Sequence, residues 1–228
     1  MARSSGGASG ILPVMPDDSS CSCGCPNTFD AKTAETDLKR YQKNGPDGTT
    51  RALIGAIVAE GVQGATLLDI GGGIGAIQLA LLDAGAASAT SVDATEAYVQ
   101  TARAEAARRG YGDRTDGRIG TFEMLATVID PADVVTLDKV VCCDPDLPSL
   151  LTQAAQHARR MVGLVYPRVT WWNRLAARVL AVWGWITRDD TRWHLHRDVD
   201  VDGILRTAGF QRRDVDRTLI WQVALYVR

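Results

Sequence analysis

Leu67-Leu68-Asp69-Ile70-Gly71-Gly72-Gly73-Ile74-Gly75-Ala76 is an apolar run that stops at an acid and breaks into glycines. That order predicts a strand feeding a tight turn and then a helix. Glycine suits the turn because the backbone takes positive φ there and approaches a ligand with no Cβ in the way. The free N–H groups at the helix start face outward, so a charged or polar ligand can sit on them.

Two cofactor classes use such a turn. Gly71, Gly73 and Ala76 satisfy the dinucleotide fingerprint G-x-G-x-x-G/A, with Asp93 about 20 residues further on as the ribose acid. Asp69 argues for the other class. A carboxylate directly before the glycines repels a pyrophosphate but suits a cofactor carrying an ammonium and a sulfonium. S-adenosylmethionine is therefore favoured over NAD.

With these residues the chain resembles the class I methyltransferases. Their first motif, hydrophobic-hydrophobic-acid-x-G-x-G-x-G, reads here from Leu67 to Gly75, and their second strand ends in an acid, here Asp93 in Thr90-Ser91-Val92-Asp93-Ala94. The resemblance spans residues 29–228. It implies an α/β, Rossmann-like fold: a seven-stranded, mostly parallel sheet with helices on both faces and a C-terminal antiparallel hairpin. It also implies site roles. Gly71, Gly72 and Gly73 support the methionine part of the cofactor, Asp69 reaches its ammonium, Asp93 accepts from the ribose hydroxyls and Ala94 borders the adenine. Asp138 joins the cofactor set from the end of strand four. Where the family has Gly-Asp-aromatic after strand three, this chain has Gly120-Thr121-Phe122, so Thr121 and Phe122 take the adenine edge.

Outward from the glycine turn, strands and helices alternate, which implies a parallel sheet covered on both faces. Strands are expected at Thr66 to Ile70, Ser88 to Asp93, Gly117 to Ile119, Asp133 to Asp138 and Met161 to Val165. Helices are expected at Ile74 to Ala84, Thr95 to Arg109 and Leu147 to Arg160. Before the sheet, Phe29 to Tyr41 and Arg51 to Glu60 read as helices, the second capped by Thr49 or Thr50. By the resemblance they cover the cofactor. Val199 to Ala208 is the last helix, and Phe210 to Asp216 and Leu219 to Val227 form the closing hairpin.

The expected organisation is a disordered, cysteine-containing tail at 1–28, covering helices at 29–62, and a core at 63–228 with a tryptophan-rich helical insert at 169–190. That insert holds Trp171, Trp172, Trp183 and Trp185, four of the six tryptophans, with Arg174 and Arg178 among them. It reads as a helix that packs on the core, lids a flat hydrophobic substrate or lies on a membrane surface.

Composition narrows the partners. A formal net charge of -2 gives no electrostatic case for nucleic acid. Leu175 to Ile186, the longest apolar segment, contains Arg178 and falls short of the ~20 residues a membrane span needs. A cytoplasmic location with a small-molecule substrate is expected, and the oligomeric state is not encoded in any pattern here. The five cysteines, Cys21, Cys23, Cys25, Cys142 and Cys143, read as reduced thiols. Cys21-x-Cys23-x-Cys25 is not the C-x₂-C knuckle of structural zinc, so no metal is assigned.

Methyl transfer displaces an activated sulfonium in line, so the enzyme supplies position and, for a poor nucleophile, a base. Candidates are Tyr41, Asp138, Cys143, Tyr166, His194 and His196. The strand-four exit, Leu137 to Pro145, the tryptophan insert and His194-x-His196 are similar to the magnesium protoporphyrin O-methyltransferases and to bacterial small-molecule methyltransferases resembling them. In the porphyrin enzymes a His-Tyr-Pro occupies the position of Cys143-Asp144-Pro145, and this chain lacks that His. The leading expectation is an S-adenosylmethionine-dependent methyltransferase that acts at O, N or C of a small molecule, with a flat aromatic one in view, and releases S-adenosylhomocysteine. Two readings stand beside it: thiol or metalloid methylation using the cysteines, and a non-catalytic cofactor-binding module.

Overall fold

The computed structural model describes residues 30–187 and 194–228. The N-terminal tail with Cys21, Cys23 and Cys25, and residues 188–190 of the expected insert, lie outside the described residues.

Among the described residues seven strands form one sheet: β1 (Thr66–Ile70), β2 (Ser88–Asp93), β3 (Thr115–Ile119), β4 (Ala132–Asp138), β5 (Ala158–Pro167), β6 (Gln211–Arg217) and β7 (Trp221–Val227). Their order is β3-β2-β1-β4-β5-β7-β6. The first five pair in parallel, and β7 runs antiparallel to both β5 and β6. The expected sheet and its closing hairpin are both present.

Among the described residues eight α-helices accompany the sheet: α1 (Ala31–Asn44), α2 (Gly48–Ala59), α3 (Ala76–Asp83), α4 (Glu96–Arg108), α5 (Phe122–Leu125), α6 (Leu147–His157), α7 (Trp171–Thr187) and α8 (Asp198–Thr207). Consecutive strand residues point to opposite faces, and the two cores follow from that. Leu67, Val134, Met161 and Val165 pack with Leu53 and Ile57 of α2 and Ile77 and Leu81 of α3. Leu68, Val135, Val162 and Leu164 pack with Leu150 and Leu151 of α6 and Val201 and Leu205 of α8. On β5, Gly163 lets α2 sit close, because a Cβ there would stand 2.9 Å from Leu53 Cδ1.

Several boundaries shift by a few residues from the sequence reading, and two of the shifts have a clear cause. Helix α6 ends at His157 rather than Arg160, because Ala158 pairs with Ala132 and draws the chain into β5. Sheet pairing overrides the helix preference of that segment. Helix α2 begins at Gly48 with Asp47 as its cap, not Thr49 or Thr50. Asp47 Oδ1 accepts from both Thr49 N and Thr50 N at 3.0 Å, a stronger anchor at a helix start than a hydroxyl. The hydroxyl of Thr50 is thereby left for another partner.

Among the described residues no helix is long and apolar enough to cross a membrane.

Candidate active site

The glycine turn lies at the carboxyl end of β1, the edge where open α/β sheets bind ligands. Gly71 has φ 66°, and a Cβ there would stand 2.2 Å from Val140 Cγ2. Only glycine fits. The N–H groups of Gly71 and Gly72 donate to Val92 O at 2.7 and 3.2 Å, tying the turn to the end of β2.

Asp93 closes β2. Its Oδ2 accepts from Gly73 N at 3.0 Å and its Oδ1 from Thr95 N at 2.9 Å. The carboxylate is thus held in one orientation, with a further lone pair on each oxygen still available. Burial pushes its pKa up, against the pull of the two N–H groups. Gly120 N donates to Asp93 O at 3.0 Å, which brings Thr121, half-buried at the start of α5, beside Asp93. Ala94 is exposed next to it.

Asp69 is 1% exposed. Its Oδ1 accepts from Thr136 Oγ1 at 2.6 Å, while its Oδ2 is buried with no hydrogen-bond partner. Burial pushes its pKa up to about 7, the Thr136 hydroxyl opposes the shift, and the charges of Asp138 and Asp93 add to it. A buried carboxylate with an unused oxygen is costly alone and well matched to a cation.

Asp69 lines a cavity of 250 Å³ between the glycine turn and the N-terminal helices. Tyr41 of α1, the Gly45-Pro46-Asp47 loop, Thr50, Tyr98, Asp138 and Lys139 complete its wall. Tyr41 is 8% exposed, with the Arg109 guanidinium 5.2 Å from its ring centroid. Burial raises its phenol pKa, so it is a donor at neutral pH. The Thr50 hydroxyl freed by the Asp47 cap donates to Asp138 Oδ2, and Asp138 Oδ1 has no hydrogen-bond partner. Burial raises the pKa of Asp138, with the Lys139 ammonium opposing. Lys139, at φ 63°, is the one non-glycine residue with positive φ among those described. Its Nζ lies 2.6 Å from Asp47 Oδ2 and 3.4 Å from Asp138 Oδ1. Such a conformation costs about 1–2 kcal/mol and clusters at functional sites.

The structure thus brings together Asp69, Gly71, Gly72, Gly73, Tyr41 and Asp138, with Asp93, Ala94 and Thr121 along the adjoining strand ends. It separates the others. Tyr166 points to the α8 face of β5, is fully buried and donates its hydroxyl to Asp198; it is a core residue, not a base. Phe122 packs in the same core with its ring edge-on to His157, centroids 5.2 Å apart, so it is not a cofactor wall. Cys142 is buried, and both thiols turn back on Lys139 O, at 3.3 Å for Cys142 and 3.8 Å for Cys143. The backbone N–H of His194 donates to Cys142 O at 2.8 Å, and its ring stacks on that of His196. His196 Nε2 lies 2.9 Å from Asp144 O. Cys143, His194 and His196 all stand outside the cavity wall.

Asp47, Thr50, Tyr98 and Lys139 were not singled out in the sequence. Only Lys139 carried a signal, as the residue directly after Asp138 at a strand's carboxyl end.

Residues 67–161 match the family described as a methyltransferase domain. In fold, the chain is similar to magnesium protoporphyrin IX methyltransferase from Synechocystis, solved with S-adenosylhomocysteine bound. The TM-score is 0.65 at 21% identity, covering 87% of this chain and 100% of that one. It is also similar to an O-methyltransferase family protein from Burkholderia thailandensis, with TM-score 0.66 at 15% identity, covering 86% of this chain and 58% of that one. No curated protein matches the chain in sequence. The chain has the fold of these solved methyltransferases, and its residues 67–161 match the methyltransferase domain family.

Proposed function

We propose that this protein transfers a methyl group from S-adenosylmethionine to a small-molecule acceptor, and that Asp69, the glycine turn and Asp93 hold the cofactor. One observation carries the reading: the unpartnered Oδ2 of Asp69, buried at a cavity where Gly71 to Gly73 leave room for a ligand. An ammonium satisfies that oxygen, whereas a pyrophosphate does not. Two fork-like oxygens on Asp93 suit vicinal ribose hydroxyls, and Ala94 and Thr121 stand where a base attached to that ribose extends. The solved relative with S-adenosylhomocysteine bound has the same fold and supports the assignment.

When bound, S-adenosylmethionine supplies a methyl on a sulfonium whose leaving group is a neutral thioether. This chain's own residues then position and deprotonate the acceptor. Asp138 Oδ1, which makes no hydrogen bond and has the Lys139 ammonium 3.4 Å away, accepts the proton that the acceptor's nucleophilic atom loses as its bond to the methyl carbon forms. The Thr50 hydroxyl fixes the other carboxylate oxygen, and Lys139 keeps Asp138 from being wholly neutralised by its burial. Tyr41 and helices α1 and α2 cover the cavity and exclude water.

Calorimetry with S-adenosylmethionine, S-adenosylhomocysteine and NAD tests the assignment on wild type and Asp93→Ala. Binding of the first two, weakened sharply in the variant, is expected. No binding, with the variant indistinguishable, overturns the reading.

A further inference from the structure

A second cavity, of 350 Å³, opens at the same edge of the sheet on the α8 side and is lined by Arg168, Arg174, Arg197, Arg217, Asp198 and Gln222 among others. Four arginines lining one space give it a positive potential that favours an anion. Among the described residues little neutralises it. Arg217 pairs with Asp214 at 3.3 Å, and Arg168 Nη1 donates only to Thr218 O at 2.8 Å. Arg174 and Arg197 have no carboxylate partner among the described residues. The acid in the wall, Asp198, is already engaged by the Tyr166 hydroxyl and by Arg212 Nη1 at 2.7 Å.

Gln222 adds a neutral polar group to the wall. It is 5% exposed, lines this cavity, and its side-chain amide makes no hydrogen bond among the described residues. What remains exposed of it faces the cavity, so its amide is free to meet a ligand oxygen in place of water. The frame is firm. Asn173 Nδ2 donates to Arg168 O and Ile220 O at 2.8 and 3.1 Å, and Arg168 N donates to Ile220 O at 2.8 Å. The start of α7 and the β6–β7 turn are thereby fixed to the end of β5.

We propose that this arginine cavity seats an oxyanion carried by the methyl acceptor, a carboxylate or a phosphate monoester. The inference rests on the methyl-transfer reading and names the substrate class for it. Gln222 pairs with Tyr166 in register at the end of β5, and β4, with Asp138, is the next strand. Two strand spacings separate β4 from β7 and the two cavities open on opposite faces of the sheet, so the acid group stands more than about 10 Å from the atom that is methylated. Planar guanidinium forks match oxyanion geometry, and the Gln222 amide adds a neutral donor.

The test uses the full chain loaded with S-adenosylhomocysteine, titrated with inorganic phosphate and with benzoate by calorimetry. Wild type is compared with Arg174→Gln, Arg197→Gln and Gln222→Leu, and with Arg206→Gln on α8 as a control outside the cavity. Saturable millimolar binding of phosphate or benzoate is expected, about tenfold weaker in each arginine variant and unchanged in the control, from the loss of one charged hydrogen bond. The tighter probe identifies the oxyanion. S-adenosylhomocysteine affinity stays at the wild-type level in every variant, and thermal melts confirm folding. Failure of both probes to bind, equal binding by the variants, or capture only by phosphatidylglycerol vesicles overturns the proposal. If S-adenosylhomocysteine itself does not bind wild type, the methyl-transfer reading falls, and oxyanion binding is read on the unloaded chain.

Discussion

Substituting Asp69→Asn gives the sharpest test of the cofactor site, because it changes one charge and almost no volume. Asp69 titrates in the folded protein near pH 7 rather than at its ordinary 3.8, chiefly because it is buried. The sign follows from linkage: the folded state holds a proton that the unfolded state releases, so stability falls as pH rises from about 4 to about 7 and then levels. The full difference is about 4 kcal/mol, and Asp69→Asn removes it. An ammonium at Oδ2 reverses the preference, so cofactor binding expels the proton. At pH 6 about 0.9 proton leaves per cofactor bound, and affinity rises about fivefold from pH 6 to pH 7. The cofactor's own amino group, with a pKa near ~7.8, stays protonated at pH 6. Calorimetry in acetate, MES and imidazole buffers reads the proton count from the slope of apparent enthalpy against buffer ionisation enthalpy. Asp93 and Asp138 are also pushed up by burial, and the variant isolates the share of Asp69. Its slope is expected near zero and its affinity about thirtyfold lower, from a lost charged hydrogen bond. A flat wild-type slope, or the same slope in Asp69→Asn, refutes the reasoning.

Three further outcomes follow from the geometry. Gly71→Ala places a methyl 2.2 Å from Val140 Cγ2 at positive φ, so urea denaturation should show a loss of about 1–3 kcal/mol. Lys139→Gly should be more stable than Lys139→Ala by about 1 kcal/mol in the same assay, since both remove the side chain and only glycine relieves the left-handed backbone. Equal stabilities would show that the conformation carries no strain. Tyr166→Phe should lower stability by about 1–2 kcal/mol through the lost bond to Asp198 while leaving S-adenosylmethionine affinity at the wild-type level by calorimetry.

Strands β1 and β2 were legible to the residue because each carries an acid at or next to its end and is followed at once by a turn and a helix. The parallel part of the sheet was legible from the alternation of strands and helices, and the antiparallel close from the two strands joined by a short turn at the end. Helix α6 was read too long because His157 to Arg160 suits a helix locally, and only pairing with β4 shows otherwise. Tyr166 was singled out for its place at a strand's carboxyl end. Which face it points to depends on register, and Val165 beside it takes the α2 side. Asp47, Thr50 and Lys139 were missed for a different reason. Thr50 and Asp138 are 88 residues apart, and a contact that long leaves no spacing to read. The positive φ of Lys139 has no mark in a residue type other than glycine.

Asp47 serves two structures with one side chain, starting α2 through Oδ1 and meeting the Lys139 ammonium through Oδ2. The helix start and the latch over the cavity are therefore the same group. Both partners of the ion pair are partly exposed, 30% for Lys139 and 58% for Asp47, and a pair so solvated holds by no more than about 1 kcal/mol. The cap uses the other oxygen, so loss of the pair leaves the start of α2 formed, still held by the Thr50 bond to Asp138 and by Leu53 in the core. Raised ionic strength therefore loosens Lys139 without unwinding the helix.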